Sequence, residues 1–103
     1  MTTTQVTNDK GRIFTIRVVN RGDAYGRDFC LTHDGDEALV EFYDFTYAGP
    51  KFTEYGQFVS RYYAETLMER DDTYGIDLHG GVDGWEVDAA TMLKVLDFVR
   101  VNI

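Results

Sequence analysis

The chain has 103 residues, of which 44% are hydrophobic and 15% aromatic. That is enough apolar material for one packed core, too little chain for two, and the wrong composition for a disordered segment. Its formal charge of −8 disfavours direct binding to a nucleic-acid backbone or an anionic membrane surface, since both need clustered Lys and Arg.

The charge is unevenly distributed. Met1–Cys30 carries five bases and three acids, whereas Leu31–Ile103 carries five bases and fifteen acids. This asymmetry predicts a negative field over one part of the molecule. No apolar run approaches the roughly 18 residues of a membrane span. The start, Met1–Asp9, is Thr-rich and polar, unlike a secretion signal, and Met1–Asn8 reads as a frayed, flexible tail. Cys30 is the single cysteine. It has no internal partner, which fits a reducing, cytoplasmic setting and a buried thiol.

Along the chain, Arg12–Asn20 alternates Phe14, Ile16 and Val18 with Thr15 and Arg17, the period-two pattern of a half-buried strand. Arg21–Gly26 holds two glycines and reads as a turn. Asp28–His33 reads as a second strand, Asp34-Gly35 as a hairpin signal, and Ala38–Asp44 as a third strand. Phe45–Phe52 contains the only proline, Pro50, and reads as a loop. From Glu54 to Arg70, the positions Tyr55, Phe58, Val59, Tyr62 and Thr66 follow helical spacing, with Thr53 as N-cap. The spacing therefore predicts a long helix ending near Asp71–Gly75. Short strands follow at Ile76–Leu78 and Trp85–Val87. Asp88 then caps a helix over Ala89–Val101, whose buried stripe is Met92, Val95, Leu96 and Val99. The predicted fold is one α+β domain with an antiparallel sheet of four or five strands, β-β-β-α-β-(β)-α, and two helices packed on one face.

The sequence offers no catalytic residue. Cys30 and His33 are three apart on a predicted strand and point to opposite faces, so they make no thiol–base pair. His79-Gly80-Gly81 lacks the Gly-x-Ser-x-Gly elbow that would make it an esterase oxyanion loop. One cysteine and two histidines cannot supply a structural zinc site. Asp34-Gly35-Asp36-Glu37 lacks the distal ligands and flanking helices of a calcium loop. The glycines match no phosphate-binding pattern. No metal and no cofactor are implied.

Two groupings remain. The first is carboxylates: Asp34, Asp36 and Glu37 in one turn, then Glu65, Glu69, Asp71 and Asp72 at the end of the first predicted helix. Arg61 and Arg70 interrupt the second run, and as helical i, i+4 partners they would neutralise part of it. The second is tyrosine, with Tyr43, Tyr47 and Tyr74 expected at strand ends and in loops, where rings serve as interface anchors. Carboxylates beside exposed tyrosines suit an Arg-rich partner, because guanidinium groups pair with the first and stack on the second.

In size, acidity and lack of catalytic motifs, the chain resembles the small inhibitors that phages and plasmids carry against host defence, including anti-CRISPR and anti-restriction proteins. That resemblance is one of overall character and transfers no residue. The functional expectation is a non-catalytic acidic module that binds a basic protein, in its sharper form a DNA mimic occupying a nucleic-acid-binding groove. The binding face would hold Asp34, Asp36, Glu37, Tyr47, Glu65, Glu69, Asp71, Asp72 and Tyr74. The alternative is a small-molecule-binding domain with an aromatic pocket between sheet and helices.

Overall fold

The structure is a computed structural model that describes residues 2–19, 38–46, 54–70 and 74–103. Four strands form an antiparallel sheet in sequence order: β1 (Thr2–Thr7), β2 (Ile13–Val19), β3 (Leu39–Asp44) and β4 (Gln57–Tyr63). A five-residue helix, α1 (Ala64–Met68), follows β4 directly. Two short antiparallel strands, β5 (Ile76–Asp77) and β6 (Glu86–Val87), make a separate hairpin, and α2 (Ala89–Asn102) ends the chain. The α+β class, the antiparallel sheet and α2 are as the sequence predicts, and α1 is the last part of the first predicted helix. The second predicted strand, Asp28–His33, and the turn before it lie outside the described residues.

The strand directions follow from period-two patterning. Phe14, Ile16 and Val18 of β2 stand beside Val40 and Phe42 of β3 on one face and are fully buried there. Under that face lies α2, whose Met92, Val95, Leu96 and Val99 form the stripe the sequence predicts. Ala64 and Leu67 of α1 complete the same core. Burying four such side chains contributes about 1.5–3 kcal/mol each, enough to fix α2 against the sheet. The Asp88 carboxylate accepts from Thr91 N at 3.2 Å, the N-cap predicted for this helix.

Two segments differ from the sequence reading. Thr2–Thr7, expected as a flexible tail, is an edge strand paired with β2 along its whole length. Its threonines and Val6 are β-branched and favour extended backbone, and Val6 is buried in the core. The segment is polar because one face and one edge meet water, which is compatible with a strand.

The long helix predicted over Glu54–Arg70 is mostly strand β4. Tyr55, Phe58, Val59, Tyr62 and Tyr63 are aromatic or β-branched, so a run with helical spacing also suits a pleated surface. Gly56 decides the matter locally. Its φ is +111°, and a Cβ there would lie 2.4 Å from the carbonyl oxygen of Asp44. Only glycine permits the chain to enter β4 so close to the end of β3. A register shift between Phe42 and Tyr43 then keeps Tyr62 on the core side, edge-on to Phe42 at 5.7 Å.

Candidate functional site

The sequence-predicted binding residues fall into two groups. Asp34, Asp36, Glu37, Tyr47, Asp71 and Asp72 lie outside the described residues. Glu65, Glu69 and Tyr74 are described, and all three are exposed, Tyr74 at 66%. Glu65 stands in the first turn of α1 and Glu69 at its C-cap. Arg70 follows, and its guanidinium donates to the Gly75 carbonyl at 3.2 Å. That bond ties the Arg70 side chain to the backbone just before β5. The pairing expected of Arg70 with its acidic neighbours is thus replaced by a backbone contact.

Three other described arginines, Arg12, Arg17 and Arg61, bind buried carboxylates. Arg61, expected to pair with Glu65 along a helix, lies on β4 with its side chain 4% exposed and binds Glu41 instead. Register explains this. Arg17, Glu41 and Arg61 are direct cross-strand neighbours on β2, β3 and β4. They occupy the sheet face opposite the helices, where Glu41 is fully buried. One Glu41 oxygen accepts from Arg17 Nη1 at 2.8 Å and from Tyr43 OH at 3.0 Å. The other accepts from Arg61 Nε at 3.0 Å and from Arg61 Nη2. A buried carboxylate requires such partners, since its desolvation cost is otherwise several kcal/mol.

The aromatic residues around this cluster change role as well. Tyr43, expected at a surface position, is buried, with its ring 5.4 Å from Tyr55 and 5.6 Å from Phe58. Burial, followed by the nearby Glu41 charge, pushes the Tyr43 hydroxyl up to about 12. Arg17 stacks over the Tyr55 ring at 5.0 Å. Alternation along β3 puts Glu41 and Tyr43 on one face, and the register of β4 brings Arg61 to the same face.

A second buried carboxylate, Asp44 at the end of β3, holds Arg12. It accepts from Arg12 Nη1 at 2.5 Å, Trp85 Nε1 at 2.9 Å and Thr46 N at 2.9 Å. Burial alone would raise its pKa, but these hydrogen bonds outweigh burial and hold it below the ordinary carboxylate value. Nearby, Asn8 is also buried. Its Oδ1 accepts from Lys10 N and Arg12 N, and its Nδ2 donates to the Gly84 and Glu86 carbonyls. Asn8 thereby joins the β1–β2 turn to the β5–β6 hairpin with every hydrogen-bonding position of its amide in use.

The consequence is electrostatic. Among the described residues, Asp9, Glu54, Glu65, Glu69, Asp77, Asp83 and Asp97 are exposed, against Lys10, Lys94 and Arg100. Two of those three bases already sit beside acids: Lys10 beside Glu86 and Asp83, and Arg100 beside Asp97. The four described arginines other than Arg100 are half-buried or deeper in the interior. Among the described residues the surface is therefore acidic, with seven exposed carboxylates against three exposed bases.

Other chemistry is sparse among the described residues. No group of three or more His, Cys, Asp or Glu side chains is arranged to hold a metal ion, and no helix is long and apolar enough to cross a membrane. His79 stacks on Trp85 with ring centroids 5.7 Å apart. The layer between sheet and helices is filled mainly by aliphatic side chains together with Phe14 and Phe42. Comparison with protein-family models, with curated proteins and with solved structures yields no match.

Proposed function

We propose that the protein is a non-catalytic acidic binding module whose exposed carboxylates engage a basic protein partner. The observation that supports this reading is the withdrawal of arginine. Arg17 and Arg61 converge on buried Glu41, and Arg12 binds buried Asp44. Guanidinium groups held this way do not neutralise outward-facing Glu65, Glu69 or Asp77. A field of several kT built this way steers a cationic partner and favours its approach at low salt.

In the sharper form, the partner is a nucleic-acid-binding protein and the carboxylates stand in for phosphates. Glu65, Glu69 and Tyr74 belong to this face, with Asp71 and Asp72 between them in sequence. Exposed Tyr74 adds a ring on which an arginine can stack.

The test is capture of basic proteins by the immobilised chain from its native host, repeated with Glu65, Glu69, Asp71 and Asp72 all changed to Ala. A DNA mimic retains a basic, nucleic-acid-binding protein that duplex DNA displaces, and the quadruple variant loses it. Retention unchanged by both the DNA and the variant counts against this face and this mode.

A further inference from the structure

The edge of the sheet carries a separate interaction surface. In the β1–β2 ladder Asn8 N donates to Arg12 O at 2.9 Å, and the register places Thr7 opposite Ile13. Hydrogen-bonded and non-hydrogen-bonded pairs alternate in an antiparallel ladder. Val6, Thr4 and Thr2 therefore exchange backbone bonds with β2, and Thr3, Gln5 and Thr7 direct theirs outward. One hydrogen bond confirms this assignment: the Thr7 carbonyl accepts from Thr91 Oγ1 of α2 at 3.2 Å. Among the described residues no strand pairs with the outer edge of β1.

Natural sheets blunt such edges with charges, prolines or bulges. Thr2–Thr7 has none of these: its sequence is Thr-Thr-Thr-Gln-Val-Thr, and its register against β2 is unbroken. The other edge strand, β4, carries Arg61 and lies beside an irregular register. In a chain of net charge −8, an uncharged edge is the place where two copies meet with least like-charge repulsion.

We propose that two copies of the chain pair antiparallel through β1, joining their sheets into one of eight strands. The occupant is fixed by self-complementarity. With Thr4 facing Thr4 of the second copy on the two-fold axis, Thr3 lies opposite Gln5 and Gln5 opposite Thr3. The outward N–H and C=O groups of both residues are then all paired. Shifting the register by two residues, to put Gln5 on the axis, would oppose Thr3 to Thr7, whose carbonyl Thr91 already holds. The helix flank below is continuous with this edge. Lys94, Phe98 and Val101 follow Thr91 on one side of α2 at helical spacing, and Val101 is 79% exposed. Phe98 and Val101 supply the apolar part of the contact under the joined strands.

The experiment is sedimentation velocity on the full chain from about 1 μM to about 1 mM, a range in which modest association energies register. The expected result is a species of twice the 11.8 kDa chain mass that grows with concentration. Gln5→Pro removes an outward N–H without touching the β2 ladder. A Thr3→Lys/Gln5→Lys variant makes the edge cationic on both copies. Each weakens the dimer at least about tenfold while the melting transition persists. Register is tested by oxidation. Facing residues of a non-hydrogen-bonded pair lie about 4.5 Å apart at Cα, within disulfide reach. Thr4→Cys therefore gives a covalent dimer beyond that of the unsubstituted chain with its native Cys30, and Thr2→Cys does not. A chain monomeric throughout the range, or a dimer indifferent to Gln5→Pro and to the double lysine variant, overturns the proposal.

Discussion

Replacing Glu41 by glutamine changes almost no volume, but it removes the one charge that two guanidinium groups share. In the native protein each Glu41 oxygen accepts two hydrogen bonds, from Arg17, Tyr43 and Arg61. A glutamine amide must present its NH2 to one of these donor pairs, and it carries no charge to offset Arg17 and Arg61. Their side chains are only 15% and 4% exposed. Breaking a buried pair by removing one partner costs about 3–5 kcal/mol. For a domain of this size each kcal/mol lowers Tm by about 4–8 °C, so Glu41→Gln should lower it by at least about 12 °C. The assay is urea denaturation with a parallel thermal melt, with exposed Glu65→Gln as the control, expected within about 0.5 kcal/mol of wild type. A double-mutant cycle with Arg61→Gln should give a coupling of about 0.5–3 kcal/mol. A Glu41→Gln protein within about 1 kcal/mol of wild type would mean that the Glu41 charge does not hold the two arginines, since a single uncompensated buried cation already costs more than that.

Three further outcomes follow from the same structure. Asn8→Asp should destabilise by about 2–4 kcal/mol near neutral pH, as much as Asn8→Ala or more, because a carboxylate oxygen would then face the Gly84 and Glu86 carbonyls; denaturant titration of the two variants checks it. At the alkaline end, the Tyr43 hydroxyl is pushed up to about 12 from an ordinary value near 10. Its contribution is fully present below pH 10 and is lost as pH rises towards 12. Tyr43→Phe should flatten that part of the stability profile. At the acid end, Asp44 is held below the ordinary carboxylate value, so its contribution persists above that value and is lost as pH falls through the folded one. Asp44→Asn should remove that acid-side slope in unfolding measured from pH 7 downward.

Where one face of an element is buried and the pattern has a single period, the sequence was sufficient. It identified β2, β3 and α2 by side-chain alternation or helical spacing, and the Asp88 cap by its place before an apolar stripe. It failed at Tyr55–Tyr63, where aromatic and β-branched residues satisfy both periods. The deciding feature there is a backbone contact between Gly56 and Asp44, twelve residues apart, which no local pattern carries. The buried cluster depends on the same contact, because Arg61 faces Glu41 only when both lie on neighbouring strands. At Thr2–Thr7 low hydrophobicity suggests a tail, but the segment is an edge strand. An edge strand needs few apolar residues, and Val6 alone enters the core. The acidity of the surface is legible from composition, whereas the placement of Arg12, Arg17 and Arg61 on Asp44 and Glu41 requires the register.

The proposal that exposed carboxylates carry the binding of a basic partner turns on their charge. Its most direct measurement is the affinity for the captured partner across a salt series, for the wild-type chain and for the Glu65/Glu69/Asp71/Asp72 alanine variant. Wild-type affinity should fall steeply as salt rises above physiological ionic strength, where the screening length is about 8 Å, and the variant should bind weakly with a shallow salt slope. Equal affinities and equal slopes for the two proteins would contradict it.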